Sequence, residues 1–176
     1  MTDATLSEAI REAYASAPDN VVILHTLELL HPAFSTPIRV VRDYADLTAT
    51  LEATAPQNPG QAVTFIGYAF DLVLPPMSEQ TALPQIMVSI DNVDREIVAN
   101  IEAAMQTTDI IQIIYRPYLS TDLTGPQMIP PLQFQVQSIM ADVFKVQATC
   151  SFGDPANRAF PNEDFTIDRF PGLAAT

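Results

Sequence analysis

Cysteine, histidine and glycine are scarce in this sequence, and each scarcity excludes a class of site. The 176 residues include one cysteine, two histidines and five glycines. A single cysteine forms no internal disulfide, as expected of a protein made in a reducing cytosol. His25, His31 and the distant Cys150 do not make a usual zinc ligand set. Neither Gly-x-Gly-x-x-Gly nor Gly-x-x-x-x-Gly-Lys occurs, so no phosphate-cradling loop is expected.

Nucleophilic chemistry is not indicated either, because the sequence has no Gly-x-Ser-x-Gly segment. Cys150 lies in an apolar strand pattern without a histidine beside it, and we interpret it as core filling. His25 falls on the apolar side of a strand pattern, which favours a hydrogen-bonded core histidine. We therefore predict no catalytic residue, no cofactor and no metal, and interpret the protein as not being an enzyme.

Basic residues are few: 8 Lys and Arg stand against 21 Asp and Glu, for a net charge of −13. Phosphate binding needs clustered Lys and Arg, so no nucleic-acid binding is expected. The acidity has two open interpretations, a solvated surface or a wall past which DNA moves without adsorbing. No apolar run reaches the roughly 18–20 residues that cross a bilayer, and no secretory signal is expected at the N-terminus.

Apolar residues are plentiful, at 48% of the chain against 16% charged, with a mean hydropathy of +0.14. This length and composition predict one domain, residues 1–176, with a sizeable core. The apolar surplus also leaves surface for contacts with partners.

The central stretch 85–118 combines two periods. Residues 85–90 and 110–115 are β-branched apolar segments, typical of strands. Between them, a helix over 92–106 is predicted, because apolar residues recur every four positions. These residues are Val93, Ile97, Ile101 and Met105. One helix thus packs on a sheet between two of its strands.

The other elements follow from caps, turns and alternation. A helix over 5–17 begins with the capping-box pattern Thr5-Leu6-Ser7-Glu8. Residues 132–137 alternate and pair with 143–152 as a hairpin, its residues Phe144, Val146, Ala148 and Cys150 facing inward. Further strands are predicted at 21–30, 38–42 and 62–74, a turn at 56–60 and a mobile excursion at 119–131. Residues 43–54 fit either a helical turn or a strand.

The last stretch, 153–176, has no periodicity but is rich in aromatic residues, unlike free disordered tails. We predict that it docks as an extended arm, either on its own sheet or on a neighbouring subunit. The candidate contact residues are Arg158, Phe160, Pro161, Phe165, Arg169 and Phe170.

Five segments in order along the chain resemble a family of short tail-tip proteins of long-tailed bacteriophages. They are Leu6-Ser7-Glu8-Ala9-Ile10-Arg11, Ile90-Asp91-Asn92-Val93-Asp94-Arg95-Glu96-Ile97, Tyr115-Arg116-Pro117-Tyr118-Leu119, Asn157-Arg158-Ala159-Phe160-Pro161 and Arg169-Phe170-Pro171-Gly172-Leu173. The central unit and the Phe160-Pro161 ending are also similar to the first domain of minor tail protein L of lambda-type phages. That protein carries a cysteine-rich extension for an iron–sulfur cluster. Here only Cys150 is present, so no cluster is expected.

The resemblance implies an α+β fold, mostly an antiparallel β-sandwich or tail-tube-like barrel, with the 92–106 helix packed on it and the 5–17 helix at its edge. It implies a structural subunit of the virion tail tip, made in the host cytoplasm and assembled around the DNA channel. Its partners would be further copies of itself, as a trimer or hexamer, and other tail-tip proteins such as the tube, hub and tape-measure end.

Three functional hypotheses remain open. A trimeric hub subunit would link the tail tube to the receptor-binding apparatus, and a hexameric distal tail protein would ring the tube. A small-ligand or carbohydrate-binding module would instead place Tyr115 and Tyr118 in an exposed groove.

Overall fold

A computed structural model describes residues 6–16, 21–73, 85–91, 95–141 and 145–152 of the chain. Its two helices are α1 (Glu8–Ser16) and α2 (Arg95–Met105). Its nine strands are β1 (Ile23–Leu30), β2 (Ile38–Val41), β3 (Leu47–Thr50), β4 (Ala62–Gly67), β5 (Phe70–Val73), β6 (Gln85–Asp91), β7 (Gln112–Leu119), β8 (Leu132–Ala141) and β9 (Lys145–Ser151). Within these ranges, neither helix is long and apolar enough to cross a membrane.

The strands form one sheet in the order β3-β4-β2-β1-β7-β8-β9-β6-β5. Every neighbouring pair is antiparallel except β2 and β4, which run parallel. The predicted α+β, sheet-dominated fold is confirmed. Residues 43–54, which fit either a helical turn or a strand, contain strand β3. The strand predicted at 62–74 is divided into β4 and β5 at Tyr68 and Ala69.

The division at Tyr68 and Ala69 closes the sheet into a barrel. The amide of Tyr68 donates to Val41 of β2, while the carbonyl of Ala69 accepts from Asp91 of β6. Two adjacent residues are therefore hydrogen-bonded to β2 and to β6. These two strands stand at opposite ends of the strand order β2-β1-β7-β8-β9-β6. The ion pair between Arg42 and Asp71, 3.0 Å long, spans the same seam. A closed sheet leaves fewer unpaired strand edges.

The barrel interior holds the inner core, a cluster to which every strand from β5 to β9 contributes together with β1 and β2. Helix α2 adds Ile97, Ile101 and Ala104 to it, which confirms the described part of the predicted stripe. The side chains of Val93 and Met105 lie outside the described residues. After α2, the Thr107 hydroxyl contacts His31, which follows β1 directly. Helix α2 thus lies at the end of the barrel where β1 ends.

Helix α1 lies at the opposite end. Its buried Ile10 and Ala13 pack against Leu119, where β7 ends, and Ile23, where β1 begins. The hydroxyl of Ser7 accepts from the amide of Ile10 at 3.3 Å and caps the first turn. The predicted cap Thr5 and the last predicted helical residue, Ala17, lie outside the described residues.

Strands β3 and β4 cover the outside of the barrel at β1, β2 and β7. This second layer encloses the outer core, defined as Leu24, Val41, Ala49, Leu51, Ala55, Val63, Phe65 and Tyr118. Strands β1 and β7 are consequently buried on both faces, and residues 113–119 of β7 are all buried. A strand covered on both sides loses the alternation that a half-exposed strand shows.

The connection at 119–131 differs from the predicted mobile excursion. Its Leu123 carbonyl accepts from the Thr50 amide, and Gln127 bonds to Pro117 and Ser7 through its backbone. Gln127 and Met128 are buried. Backbone bonds to three separate segments hold this loop against the barrel, and its polar composition gave no sign of them.

The hairpin of β8 and β9 agrees with its prediction. Phe134 is buried while Gln133 and Gln135 are exposed, and on β9 Val146, Ala148 and Cys150 face the core. Phe144 lies outside the described residues. A register shift between Val136 and Ser138, a β-bulge, was not predicted.

Candidate functional site

The predicted contact residues Arg158, Phe160, Pro161, Phe165, Arg169 and Phe170 lie outside the described residues. Their role in docking stays a prediction. The described part of the chain instead brings together a cluster of charges that the sequence did not single out.

A buried ion-pair cluster lies between the barrel and its second layer. The Arg116 guanidinium of β7, whose side chain is 0% exposed, donates from Nε and Nη2 to the two carboxylate oxygens of Glu52 at 2.7 and 2.9 Å. Its Nη1 donates to Glu28 of β1 at 2.8 Å. The other oxygen of Glu28 accepts from Arg39 of β2, also at 2.8 Å. Two arginines and two carboxylates balance, so the cluster is electroneutral.

The cluster joins three barrel strands to the loop that follows β3. Thr26 and Glu28 reach it from β1, since the Thr26 hydroxyl donates to the Arg116 carbonyl. Glu52 lies in the loop between β3 and β4, and its carbonyl accepts from the amides of Ala55 and Gly60. Arg39 adds a bond to the side chain of Asn58 in the same loop. Charge-assisted bonds of this kind are directional, so the cluster sets how the second layer lies on the barrel.

The electrostatics of Arg116 favour its charged form. Burial alone would lower its pKa, but the bonds to Glu52 and the charges of Glu28 and Glu52 raise the pKa overall. The guanidinium therefore stays protonated. Buried charges without such partners are strongly destabilising, so these bonds hold the strands in this arrangement.

The sequence carries a signal for part of this cluster. Arg116 interrupts an apolar strand pattern, and Glu28 does the same between Leu27 and Leu29. A charge within an otherwise apolar strand is rarely buried without a partner. Spacing along the chain could not identify the partners, because they lie 64 and 88 residues from Arg116.

The placement of Tyr115 and Tyr118 contradicts the exposed groove of the carbohydrate-binding hypothesis. Tyr115 is 5% exposed and its hydroxyl bonds to Nδ1 of His25 at 2.7 Å. Tyr118 is 0% exposed and donates to the Thr50 carbonyl. Burial raises the pKa of both phenols. Both rings are framework residues, because β7 is covered on its inner and outer faces.

Cys150, interpreted from the sequence as core filling, lies in the core, and both histidines are hydrogen-bonded. Cys150 belongs to the inner core, and burial raises the pKa of its thiol to about 11. His31 is buried: its Nδ1 accepts from the Ala33 amide, which leaves Nε2 to donate toward the carbonyl of Asp109. His25 is partly buried and hydrogen-bonded, as predicted.

We expect His25 to make stability depend on pH. Burial, and then the charge of Arg42, lower its pKa below the usual value of about 6.5. The unfolded chain therefore takes up a proton at higher pH than the folded chain does, so stability falls as the pH drops below about 6.5. Between about pH 7 and pH 5, the melting temperature of His25→Gln should therefore fall by less than that of the native chain.

Calorimetry at both pH values checks this expectation. Gln133→Ala, at an exposed uncharged position of β8, should show the same difference in melting temperature between the two pH values as the native chain. An equal drop in the native chain and His25→Gln would refute the assignment.

Open grooves mark the barrel surface. One of about 360 Å³ follows the seam and is lined by Arg42, Asp43, Tyr44, Tyr68, Ala69, Phe70, Asp71 and Asp91. Another of about 550 Å³ lies beside His31 and Gln112. Within the described ranges, no group of three or more His, Cys, Asp or Glu side chains is placed to hold a metal ion.

Fold and site together define a helix-capped β-barrel domain whose second layer is fastened by a buried ion-pair cluster. A family model described as "Domain of unknown function (DUF1833)" matches residues 9–165, and the chain belongs to that family. The comparison with curated proteins gives no match.

Proposed function

We propose that this protein is a structural subunit of the tail tip of a long-tailed bacteriophage. It would form part of a ring around the DNA channel and link the tail tube to the receptor-binding apparatus, without catalysis. The observation that carries the proposal is an agreement in fold. The resemblance implies a β-sandwich or barrel with a packed helix, and the strands here close into a barrel that α2 helps to fill.

Residue-level observations support the same role, which matters because a fold does not by itself imply a function. The resembling segment Tyr115–Leu119 is buried throughout and contains Arg116, the centre of the ion-pair cluster. That segment therefore carries the framework of the domain. A firmly joined framework suits a subunit that transmits load and keeps a channel open.

Charge supports the proposal as well. The chain has a net charge of −13, and Arg39, Arg42, Arg116 and Lys145 are each paired with a carboxylate. These cations are already neutralised locally, so an acidic surface remains to repel passing DNA.

The hub and distal-tail versions of the role differ in ring order. Native mass spectrometry distinguishes them, because a hub subunit is expected as a trimer and a distal tail protein as a hexamer.

Removing residues 153–176 should exclude the protein from virions while leaving the domain folded. The aromatic arm is expected to clasp a neighbouring subunit, whereas the described helices and strands all end by Ser151. The measurement is quantitative mass spectrometry of purified virions after complementation with the full or shortened chain, with thermal melting of both. As a control, Asp154→Asn with Glu163→Gln changes the arm's charge and keeps its phenylalanines.

Two results would count against the proposal. Virions that lack the full-length protein would refute the tail-tip role. Normal incorporation of the shortened chain would refute the clasp and leave the role itself standing.

A further inference from the structure

One outer face of the barrel combines exposed methionines with charges that balance locally, although the chain as a whole is acidic. Strands β8, β9 and β6 lie side by side, and their inward residues fill the inner core. On the outward side, Met87 is 52% exposed and Met140 is 74% exposed. Met87 pairs with Thr149, and Met140 pairs with Gln147, so both methionines flank β9 on the same face. We call Met87, Ser138, Met140, Gln147 and Thr149 the methionine face.

Charges at this face cancel. Lys145 and Asp91 are cross-strand partners on β9 and β6, 3.6 Å apart. Beside β6, Asp71 of β5 pairs with Arg42 at 3.0 Å. The five residues of the methionine face carry no charge, while the chain as a whole carries −13. Most approaches between two copies bring negative surfaces together, and this face avoids that repulsion.

The chemistry of the face also suits a protein contact. The central parts of interfaces are depleted in charged residues and enriched in methionine. Methionine is flexible and polarizable, so it adapts to an irregular opposing surface. Pairs of opposite charge at the edge let a neighbouring copy align its own charges without net repulsion.

We propose that the methionine face is a surface through which one copy of this chain packs against another. The inference rests on the proposed function, since a ring subunit needs a surface for its neighbour, and it names the part of the barrel that supplies one. The occupant is a second copy because two copies share a strong like charge, so a locally neutral face is a less costly place for them to meet than an acidic one.

Sedimentation velocity of the full chain over a range of concentrations tests the proposal. The native chain should self-associate, and Met87→Glu with Met140→Glu should weaken that association by about tenfold or more, because two charges would be buried in the contact. Val22→Glu with Ile129→Glu adds the same charge at positions 58% and 65% exposed. That control should associate nearly as the native chain does.

Three outcomes would overturn the inference: a native chain that stays monomeric, a methionine-face variant that associates normally, or equal loss in both variants. If the glutamate variant does not fold, Met87→Gln with Met140→Gln takes its place, with a smaller loss expected. If the chain associates through this face but is missing from virions, the proposed function alone would be refuted. A virion protein whose methionine-face variant associates normally would refute only this inference.

Discussion

Replacing Arg116 with methionine should lower the free energy of unfolding by about 3–5 kcal/mol, the usual cost of removing one partner from a buried ion pair. Methionine nearly matches the arginine stem in volume, so packing changes little. The loss arises because Glu52 keeps no guanidinium and Glu28 keeps only Arg39. Urea unfolding, followed by circular dichroism, measures the difference.

Two further variants make this test specific to buried charge. Arg42→Met removes an ion pair whose side chains are 53% and 68% exposed, and should cost no more than about 1 kcal/mol. Adding Glu28→Gln and Glu52→Gln to Arg116→Met should recover part of the stability, because no unpaired carboxylate then remains buried. An Arg116→Met variant as stable as Arg42→Met would show that the cluster contributes little to the fold.

Replacing Phe65 with alanine should cost about 3–5 kcal/mol, the range for truncating a buried aromatic side chain. Phe65 of β4 is fully buried in the outer core, and its ring lies 6.1 Å from that of Tyr118, tilted by 58°. The variant would leave a cavity between the barrel and its second layer. The loss therefore measures how firmly β3 and β4 are packed on β1 and β7.

The neighbouring residue provides a matched control. Ile66 lies on the same strand with its side chain on the other face and is 50% exposed, so Ile66→Ala should cost less than about 1 kcal/mol. Urea unfolding followed by circular dichroism and by tyrosine fluorescence should give coincident transitions if the two layers unfold together. A loss at Phe65 no larger than at Ile66 would mean that the second layer adds little stability.

Local patterns predicted most elements of the described fold. The helix stripe of Ile97 and Ile101, the alternation around Phe134 and the inward Val146, Ala148 and Cys150 all agree with the structure. Each depends on residues a few positions apart, where side-chain period decides which face is buried. The loop at 119–131, predicted as a mobile excursion, is instead anchored by residues outside it, Ser7, Thr50 and Pro117, which no local pattern indicates.

The buried ion-pair cluster shows where local reasoning ends. Arg116 and Glu28 each interrupt an apolar strand pattern, but Glu52 stands in sequence as an ordinary charged residue, and no local pattern identifies which charges pair. Their burial exists only because β3 and β4 fold over β1 and β7. The same covering buries Tyr118, which an uncovered strand would have left half exposed, while Tyr115 is buried on the other face of β7, in the inner core.

The amino-acid sequence by itself determined the periods, the acidity and the scarcity of reactive residues, and hence a sheet-rich α+β domain. These properties are local or additive, so they can be read from neighbouring residues and from composition. Only the tertiary structure decided the closure at Tyr68 and Ala69, the second layer and the partners of Arg116. Those features join residues far apart in the chain, and pairing across such distances is chosen by the packing of the whole domain.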